Sequence, residues 1–262
     1  MNALQPLYEH ADLSRFDLPN GLVAQYGGPL GFQRPCLYAN FVSSLDGVVA
    51  LNTDAESGAI VSQHSEADRF VMGMLRVCAD AVIVAAGTFR KASGHIWSAE
   101  SIFPAAAPLF SEARTRLSLP PTPKLVVVTR SGAIDPGHPA LSDAIVATSA
   151  DGETALRGRL PATTRIMSFA GSDSVTQLVT QLRAEGMSNL LTEGGPNLFA
   201  QLIDAKLLDE LFLTSSPILF GRYPGDQRKS LAEGLDLAGR SVELLSVRRD
   251  ASHLFLRYTF RQ

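Results

Sequence analysis

Cysteine is scarce in this sequence, which limits both the cellular compartment and the kinds of site to expect. Cys36 and Cys78 are the only two cysteines among 262 residues, and two thiols provide neither a disulfide framework nor a thiolate metal set. A basic N-terminal segment followed by a long apolar run is also missing, and no stretch approaches the roughly 18 uninterrupted apolar residues of a membrane span. We therefore expect an unprocessed protein of the reducing cytoplasm.

A strong charge of either sign is absent as well. The formal net charge is −3, and contents of 45% hydrophobic and 19% charged residues are ordinary for a globular protein with a sizeable core. So small a charge creates no global basic field that would attract nucleic acid or an anionic membrane. We expect neither as a partner.

Several common catalytic motifs are missing. The sequence has no G-x-G-x-x-G after a strand and no G-x-x-x-x-G-K-[ST], which argues against a standard Rossmann domain and against a P-loop. It has no G-x-S-x-G elbow. Residues 64–66 match the H-x-E of zinc deaminases, but the required P-C-x-x-C does not occur. We expect no metal site, whereas hydride transfer needs none of these motifs because a bound cofactor supplies that chemistry.

The chain does contain short apolar runs that alternate with amphipathic segments. The clearest helix follows Ser65, where Asp68 stands in capping-box spacing and apolar residues recur at three- and four-residue steps as far as Cys78. A second helix is predicted over 174–185 and ends before Gly186. Strands are predicted at 37–44, 81–86, 125–128, 144–148, 165–169, 190–192 and 211–214, and 242–248 and 254–260 are predicted to form a hairpin.

This order of elements predicts the fold class. Alternating strands and helices followed by antiparallel strands indicate an α/β protein, with a mixed sheet that is mainly parallel, an antiparallel C-terminal hairpin and helices on both faces. Residues 1–33 are predicted to be an extension, and 34–262 a single domain. The proline-rich segment 91–123 is predicted to be a long excursion with a short helix at most, and polar connections are predicted around the strands at 144–148 and 165–169.

Four polar turns follow apolar runs, at 43–47, 87–90, 129–132 and 193–197. In an open α/β sheet, the loops beyond the carboxyl ends of parallel strands converge on one crevice, where ligands bind. We therefore expect these four turns to meet at one ligand. The alternative is that their glycines only make turns.

The turn at 193–197 has the most distinctive chemistry. Gly194 and Gly195 let the backbone approach a ligand without a Cβ. Pro196 then opens a segment with helical spacing, and a helix start offers unpaired N–H groups and the positive end of the helix dipole. Such a turn favours an anion, most often a phosphate.

The neighbouring turns carry side chains that suit the same ligand. Thr88, Arg90 and Arg130 are candidates to hold further phosphate charge. An additional arginine near a nucleotide ribose favours a 2′-phosphate, and hence NADP over NAD. The alternative is that both arginines are solvated surface residues.

Four segments, in the same order, resemble the reductase domain of the bifunctional deaminase/reductases of riboflavin biosynthesis. They are 40–47 (Asn-Phe-Val-Ser-Ser-Leu-Asp-Gly), 87–90 (Gly-Thr-Phe-Arg), 192–198 (Thr-Glu-Gly-Gly-Pro-Asn-Leu) and 207–211 (Leu-Leu-Asp-Glu-Leu). The resemblance covers about residues 35 to 262. It implies a dihydrofolate-reductase-like fold, the NADPH-dependent reduction of a phosphorylated ribosylaminopyrimidine with opening of its ribose to ribityl, and a homodimer.

The resemblance also implies roles for individual residues. Ser43, Ala59, Thr88, Arg130 and the run Gly195, Pro196, Asn197, Leu198, Phe199, Ala200 and Gln201 match cofactor-contacting positions. Gly87, Arg90 and Gly194, taken from the turns themselves, complete the predicted cofactor site. Ser57, Arg69 and Glu193 match positions that hold the substrate, with Arg69 as a phosphate anchor.

Asp46 and Glu193 are the predicted catalytic residues. Glu193 lies beside two glycines at a strand end, where its carboxylate is predicted to face the substrate. For Asp46 two roles are open, since it is predicted either to orient the loop over the nicotinamide or to assist proton delivery. Asp46-Gly47 is also a common turn pair.

The sequence departs from the family in two places. After the Gly-Thr-x-Arg turn the family usually continues with an acidic loop containing Asn/Asp-Pro, whereas residues 91–97 read Lys-Ala-Ser-Gly-His-Ile-Trp. The deaminase half is missing as well. The predicted substrate is therefore a phosphorylated aminopyrimidine, with dihydrofolate or a related pterin as the alternative. A nonenzymatic NADP-binding regulatory protein and a plain scaffold are the other open interpretations.

Overall fold

A ten-stranded β-sheet runs through the protein and positions all other elements. The computed structural model describes residues 2–53, 56–171 and 173–260. The strands are β1 (Gln5–Glu9), β2 (Cys36–Ser43), β3 (Ala81–Ala85), β4 (Lys124–Val128), β5 (Ile145–Thr148), β6 (Arg165–Ser168), β7 (Asn189–Thr192), β8 (Glu210–Ser215), β9 (Glu243–Asp250) and β10 (His253–Thr259). The helices are α1 (Asn20–Tyr26), α2 (Ser57–Val61), α3 (Glu66–Val77), α4 (Ala86–Lys91), α5 (Ala99–Ile102), α6 (Ala107–Arg116), α7 (Ala150–Leu156), α8 (Ser174–Ala184) and α9 (Pro196–Asp204), with 3₁₀ turns at Pro104–Ala106 and Pro139–Leu141.

The sheet is parallel in most of its width and antiparallel at one side. Its strand order is β1-β9-β10-β8-β2-β7-β3-β4-β5-β6. All neighbours from β8 to β6 pair in parallel, whereas β1, β9, β10 and β8 pair antiparallel. The predicted mixed sheet with an antiparallel C-terminal hairpin is therefore confirmed.

Helices cover both faces of the sheet, as predicted. Successive side chains of a strand point to opposite faces, so on β2 Tyr38 belongs to one apolar cluster while Leu37 and Ala39 belong to the other. Helices α1, α3 and α6 contribute to the Tyr38 cluster, and α8 and α9 contribute to the opposite one. Parallel strands buried on both faces explain the continuous apolar runs of the sequence.

The two predicted amphipathic helices are confirmed. α3 begins where the Ser65 side chain accepts a hydrogen bond from the backbone N–H of Asp68, which satisfies one of the unpaired N–H groups at a helix start. α8 ends before Gly186, whose φ of +89° lies in the left-handed region that a helix C-terminus commonly uses.

Several helices were not expected from the sequence, among them α4, α6 and α7. α6 spans ten residues, although the segment 91–123 predicts a short helix at most. Its Pro108 lies in the first turn, where proline costs no intrahelical hydrogen bond. α7 fills the predicted polar connection after β5, and its N-cap is the side chain of Ser149. α4 begins directly after β3, so the predicted turn at 87–90 is helical.

The residues before 34 join the same sheet and core. β1 pairs with β9, and Leu22 and Tyr26 of α1 are buried. Arg248 of β9 donates to the Tyr26 carbonyl and forms an ion pair with Glu9. The segment therefore packs on its own chain, whereas the boundary between residues 33 and 34 stays a prediction.

Arg114 of α6 holds the C-terminal end of α3. Its guanidinium is 1% exposed and donates to the carbonyls of Arg76, Val77 and Ala79 at 3.0–3.1 Å and to the carbonyl of Pro120. The last carbonyls of a helix have no intrahelical partner, so this side chain supplies the donors that they need. The end of α3 is thereby fixed against α6.

We expect Arg114→Met to lower the free energy of unfolding by about 3 kcal/mol, because buried carbonyls lose their donor. Arg116→Met is the matched control in the same helix. Arg116 forms exposed ion pairs with Asp17 and Glu112, so its loss should lower the stability much less. Urea denaturation of both variants measures the difference, and equal losses would contradict this account.

Candidate functional site

The central strands create a crevice at the carboxyl edge of the parallel sheet. β7 and β3 are neighbours, but the chain leaves them in opposite directions. From β7 it passes through α9 to β8, beyond β2, whereas from β3 it passes to β4 on the other side. Ligands of open α/β sheets bind at such a switch point. The turns at 87–90 and 193–197 lie on the two sides of it.

Direct contacts join these two turns. The backbone N–H of Ala85, at the end of β3, donates to the Gly194 carbonyl at 2.8 Å. Gly194 has a φ of +129°, and a Cβ added to it would lie 2.8 Å from Thr88 Oγ1. Gly194 and Gly195 are joined by a cis peptide bond. Glycine at 194 is therefore required both by the backbone conformation and by the approach of Thr88.

Helix α9 begins at this point. Gly195 is its N-cap and Pro196 lies in its first turn. Leu198 and Phe199 are buried, and the Phe199 ring packs edge-to-face on Phe41 of β2. These two side chains therefore hold the helix on the sheet, and a ligand at the helix start would meet backbone N–H groups.

Asn197 connects α9 to the segment 217–242. Its side chain donates to the Glu233 carbonyl at 3.4 Å and accepts from Lys229 Nζ at 3.1 Å. Glu233 N–H in turn donates to the carbonyl of Pro196. Lys229 also pairs through its backbone with Val49 and Ala50, beyond the end of β2. The segment thus crosses the carboxyl edge from β2 to α9.

Asp46 fastens the beginning of the same segment. Its carboxylate accepts from Ser44 Oγ at 2.6 Å and from the backbone N–H groups of Phe220 and Gly221 at 3.2 and 2.7 Å. The hydrogen bond from Ser44, with those from the backbone, lowers the pKa of Asp46. Asp46 thereby ties its own loop to residues 220–221, and both roles predicted for it stay predictions.

Two exposed arginines follow neighbouring strands. Arg90, in α4 after β3, donates to the Ala133 carbonyl at 2.8 Å. Arg130 follows β4, and its carbonyl accepts from Ser149 Oγ at 2.7 Å. Their predicted roles are not tested by these contacts, but both cations lie at the carboxyl edge on the β3–β4 side of the crevice.

Glu193, directly after β7, is paired with Arg76 at the end of α3. The guanidinium donates two hydrogen bonds to the carboxylate, from Nε at 2.8 Å and from Nη2 at 2.7 Å. The two side chains are 1% and 6% exposed. Such a bidentate pair fixes the carboxylate in one orientation. Glu193 therefore presents only a small exposed part to the crevice.

The same guanidinium reaches the loop that departs from the family pattern. Arg76 Nη1 donates to the Ser98 carbonyl at 3.0 Å, and Nη2 lies 3.1 Å from His95 Nε2. Burial, together with the Arg76 charge, lowers the pKa of His95 to about 4. Burial raises the pKa of Glu56, which lies near His95. The loop at 91–97 is thus part of the site.

The other predicted substrate residues lie on or near α2. Ser57 begins this helix, and its Oγ accepts from the backbone N–H of Leu51 at 3.0 Å. Arg69 of α3 donates to the His64 carbonyl at 3.2 Å. Ala59 lies within α2, and Ser43 ends β2. Their predicted contacts with cofactor or substrate stay predictions.

Sequence reasoning missed three polar residues of this region: the buried Arg76 and Asp68 and the partly buried His95. A signal existed for the first, since Arg76 interrupts an apolar run in the last turn of α3. Asp68 is 5% exposed and hydrogen-bonds with the Thr214 hydroxyl. Burial raises the pKa of Asp68 to about 6, although Thr214, His253 and Arg69 oppose this shift.

Two other kinds of feature are absent from the part of the chain that the structure describes. Those residues contain no group of three or more His, Cys, Asp or Glu side chains that could hold a metal ion. None of their helices is long and apolar enough to cross a membrane.

Comparison with known proteins identifies the family. The profile of the RibD C-terminal domain matches residues 35–256. This chain belongs to that family. Membership supports a pyrimidine-reductase-like oxidoreductase. No match was found among the curated proteins.

Solved structures show the same fold. A pyrimidine reductase-like protein from Corynebacterium diphtheriae matches with a TM-score of 0.70 at 19% identity, over 93% of this chain and 95% of that protein. RibD from Acinetobacter baumannii matches with a TM-score of 0.65 at 21% identity, over 86% of this chain and 58% of that one. The riboflavin biosynthesis reductase Rib7 from Saccharomyces cerevisiae matches with a TM-score of 0.55 at 14% identity, over 92% and 94%. This chain thus spans little more than half of the RibD protein.

We expect Gly194→Ala to lower the free energy of unfolding by about 3 kcal/mol, because alanine is strained at this φ and its Cβ meets Thr88. Gly195→Ala is the control. Its Cβ would lie 3.6 Å from Thr88 Oγ1, an ordinary contact, so the cost should stay below about 1 kcal/mol. Adding Thr88→Ala to the Gly194→Ala variant should restore part of its free energy of unfolding, because the clash with the Thr88 side chain is removed. If the double variant is no more stable than Gly194→Ala, that clash is not the cause of the loss.

The raised pKa of Asp68 predicts a pH dependence of stability. Because the folded-state pKa lies above the ordinary value of 3.8, the folded protein binds this proton more tightly, and the stabilisation is lost as the pH rises from about 4 to about 6. A shift of about two units corresponds to about 3 kcal/mol. Denaturation across this range should show a smaller decline for Asp68→Asn than for the parent and for Glu66→Gln, an exposed control. If stability declines with pH equally in all three proteins, Asp68 is not the group responsible for the decline.

Proposed function

We propose that this protein is an NADPH-dependent reductase that transfers hydride to the ribose C1′ of a 5-amino-6-(5-phosphoribosylamino)uracil. The observation that carries the proposal is that residues 193–196 form one continuous segment beside the switch point between β3 and β7. It joins a buried, oriented carboxylate on one side to glycines and a helix start on the other. One turn therefore serves both a substrate-facing and a cofactor-facing role.

The residues on the cofactor side fit a dinucleotide. The proposed pyrophosphate site is the start of α9, directly after Gly194 and Gly195, where N–H groups and the helix dipole favour an anion. The Thr88 hydroxyl borders this space, and Arg90 and Arg130 would supply the positive charge that favours a 2′-phosphate. When bound, NADPH would supply the hydride. The protein holds and orients it.

The residues on the substrate side fit a polar acceptor. Arg76 keeps Glu193 in one orientation beside the crevice, and Arg69 is the cation proposed to hold the substrate phosphate. Asp46 fastens the segment 217–242 at the carboxyl edge, and a closed edge excludes water from a hydride donor. We also propose that residues 34–262 form one reductase domain that works in the cytoplasm as a homodimer, without nucleic acid or membrane.

Two alternative functions can be distinguished from this one by experiment. Dihydrofolate or a related pterin is the alternative acceptor, and the same crevice would serve it. A nonenzymatic NADP-binding regulator is the second alternative, favoured by the changed loop at 91–97.

Purified protein should oxidise NADPH stoichiometrically when the phosphoribosylaminouracil is added, and faster than with dihydrofolate, because the site is built for a polar, phosphorylated acceptor. The absorbance of NADPH measures this. A folded protein that binds NADPH in calorimetry but turns over neither substrate would overturn the enzymatic proposal, and turnover of dihydrofolate alone would replace the substrate.

The variant Glu193→Gln distinguishes an enzyme from a nonenzymatic NADP-binding regulator. It removes the charge and retains one of the two hydrogen-bond acceptors for Arg76, so NADPH affinity should persist while turnover falls at least about a hundredfold. Asp46→Asn is the second variant, in case the first fails to fold. Unchanged turnover in both would mean that neither carboxylate takes part.

A further inference from the structure

Two side chains in the substrate half of the site face each other across a narrow gap. His95 Nδ1 lies 3.7 Å from Glu56 Oε1, which is too far for a direct hydrogen bond. The His95 side chain is 14% exposed and that of Glu56 is 52% exposed. A ligand atom can therefore approach both groups from the solvent side and bridge them.

The contacts of His95 decide what it offers to the gap. Arg76 Nη2 lies 3.1 Å from the other ring nitrogen, Nε2. A guanidinium has donors only, so Nε2 must accept, and the proton of a neutral imidazole then lies on Nδ1. Burial and Arg76 lower the pKa of this imidazole, with His138 acting in the same direction and Glu193 opposing, so the ring is neutral near pH 7.

Aromatic packing holds the ring in place. His95 lies edge-to-face against Trp97, with centroids 4.8 Å apart. Trp97 stacks on Phe89 of α4 at 5.5 Å. The donor at Nδ1 is thus oriented by Arg76 on one side and by an indole on the other.

The gap consequently has an N–H donor on one wall and a carboxylate acceptor on the other. A group that fills it must accept one hydrogen bond and donate another. A hydroxyl does both with a single oxygen, and an oxygen about 2.8 Å from each atom spans a separation of this size. A carbonyl would leave Glu56 unpaired, and a phosphate would be repelled by it.

We propose that His95 and Glu56 form a subsite that binds a hydroxyl of the ribosyl group of the acceptor. The inference rests on the proposed reductase function and makes its substrate recognition specific. A ribosyl group carries aliphatic hydroxyls that can donate one hydrogen bond and accept another. The loop at 91–97, which departs from the family pattern, thereby supplies one half of a recognition pair.

Kinetics of His95→Phe and Glu56→Met test the pair. Each should lower kcat/KM for the phosphoribosylaminouracil about tenfold or more, mainly through KM, because a hydrogen bond to the hydroxyl is lost. The double variant should lose little beyond either single one. His95→Gln, which retains an N–H donor, should recover part of the loss. The controls His10→Phe and Glu66→Gln, at positions outside the site, should leave kcat/KM unchanged.

Deoxy analogues complete the test. For the parent protein, either the 2′-deoxy or the 3′-deoxy substrate should show the same loss, and the variants should lose nothing further with that analogue. Turnover by the parent with unchanged kcat/KM in both variants would overturn the subsite while leaving the reductase function intact.

A binding measurement separates the two proposals. In ¹⁵N spectra of histidine-labelled protein, His95 should be the neutral tautomer with its proton on Nδ1, and adding the phosphoribosylaminouracil without NADPH should perturb Nδ1. If no turnover occurs but this perturbation does, the reductase function fails and the subsite stands. A protonated His95 near pH 7, or an imidazole that the ligand leaves unperturbed, would overturn the subsite.

Discussion

The buried guanidinium of Arg76 is the interaction on which the site depends. One side chain joins the end of α3, the carboxylate that follows β7 and the loop at 95–98. A buried charge without its partner is strongly destabilising, so these three pieces must occupy their places together. Arg114 completes the arrangement by holding the carbonyls of the same helix end. The orientation of Glu193 is therefore set by the packing of α3 on the sheet.

Much of the fold could be predicted from the sequence because its strands are buried on both faces. Continuous apolar runs such as 81–85 and 125–128 mark them without ambiguity. The Ser65 cap and Gly186 likewise marked the ends of α3 and α8. Helices α6 and α7 were missed because prolines and polar residues suggested loops, whereas Pro108 occupies the one helical turn that tolerates it. Local signals of this kind report on termini better than on helix length.

The features of the site that are set by local backbone conformation could be predicted from the sequence. Those that are set by pairs of side chains far apart in the sequence could not. Gly194 and Gly195 indicated a close approach or a backbone conformation that only glycine adopts readily, and Gly194 has both features. Nothing local links Arg76 with Glu193, which lie 117 positions apart. Their pairing requires the sheet order itself, with β7 between β2 and β3. Family resemblance supplied the roles of Ser57 and Arg69, and it was silent on the loop at 91–97.

That strand order also affects how the chain folds. The central strands β2, β7 and β3 are drawn from distant parts of the chain, and β7 ends only at residue 192 of 262. Non-local pairing of this type slows folding, because a long loop must close before any contact stabilises it. During synthesis, β2 and β3 emerge early but lack the strand that belongs between them, and exposed apolar edges favour aggregation. Closing the sheet and assembling the crevice are consequently a single late folding event.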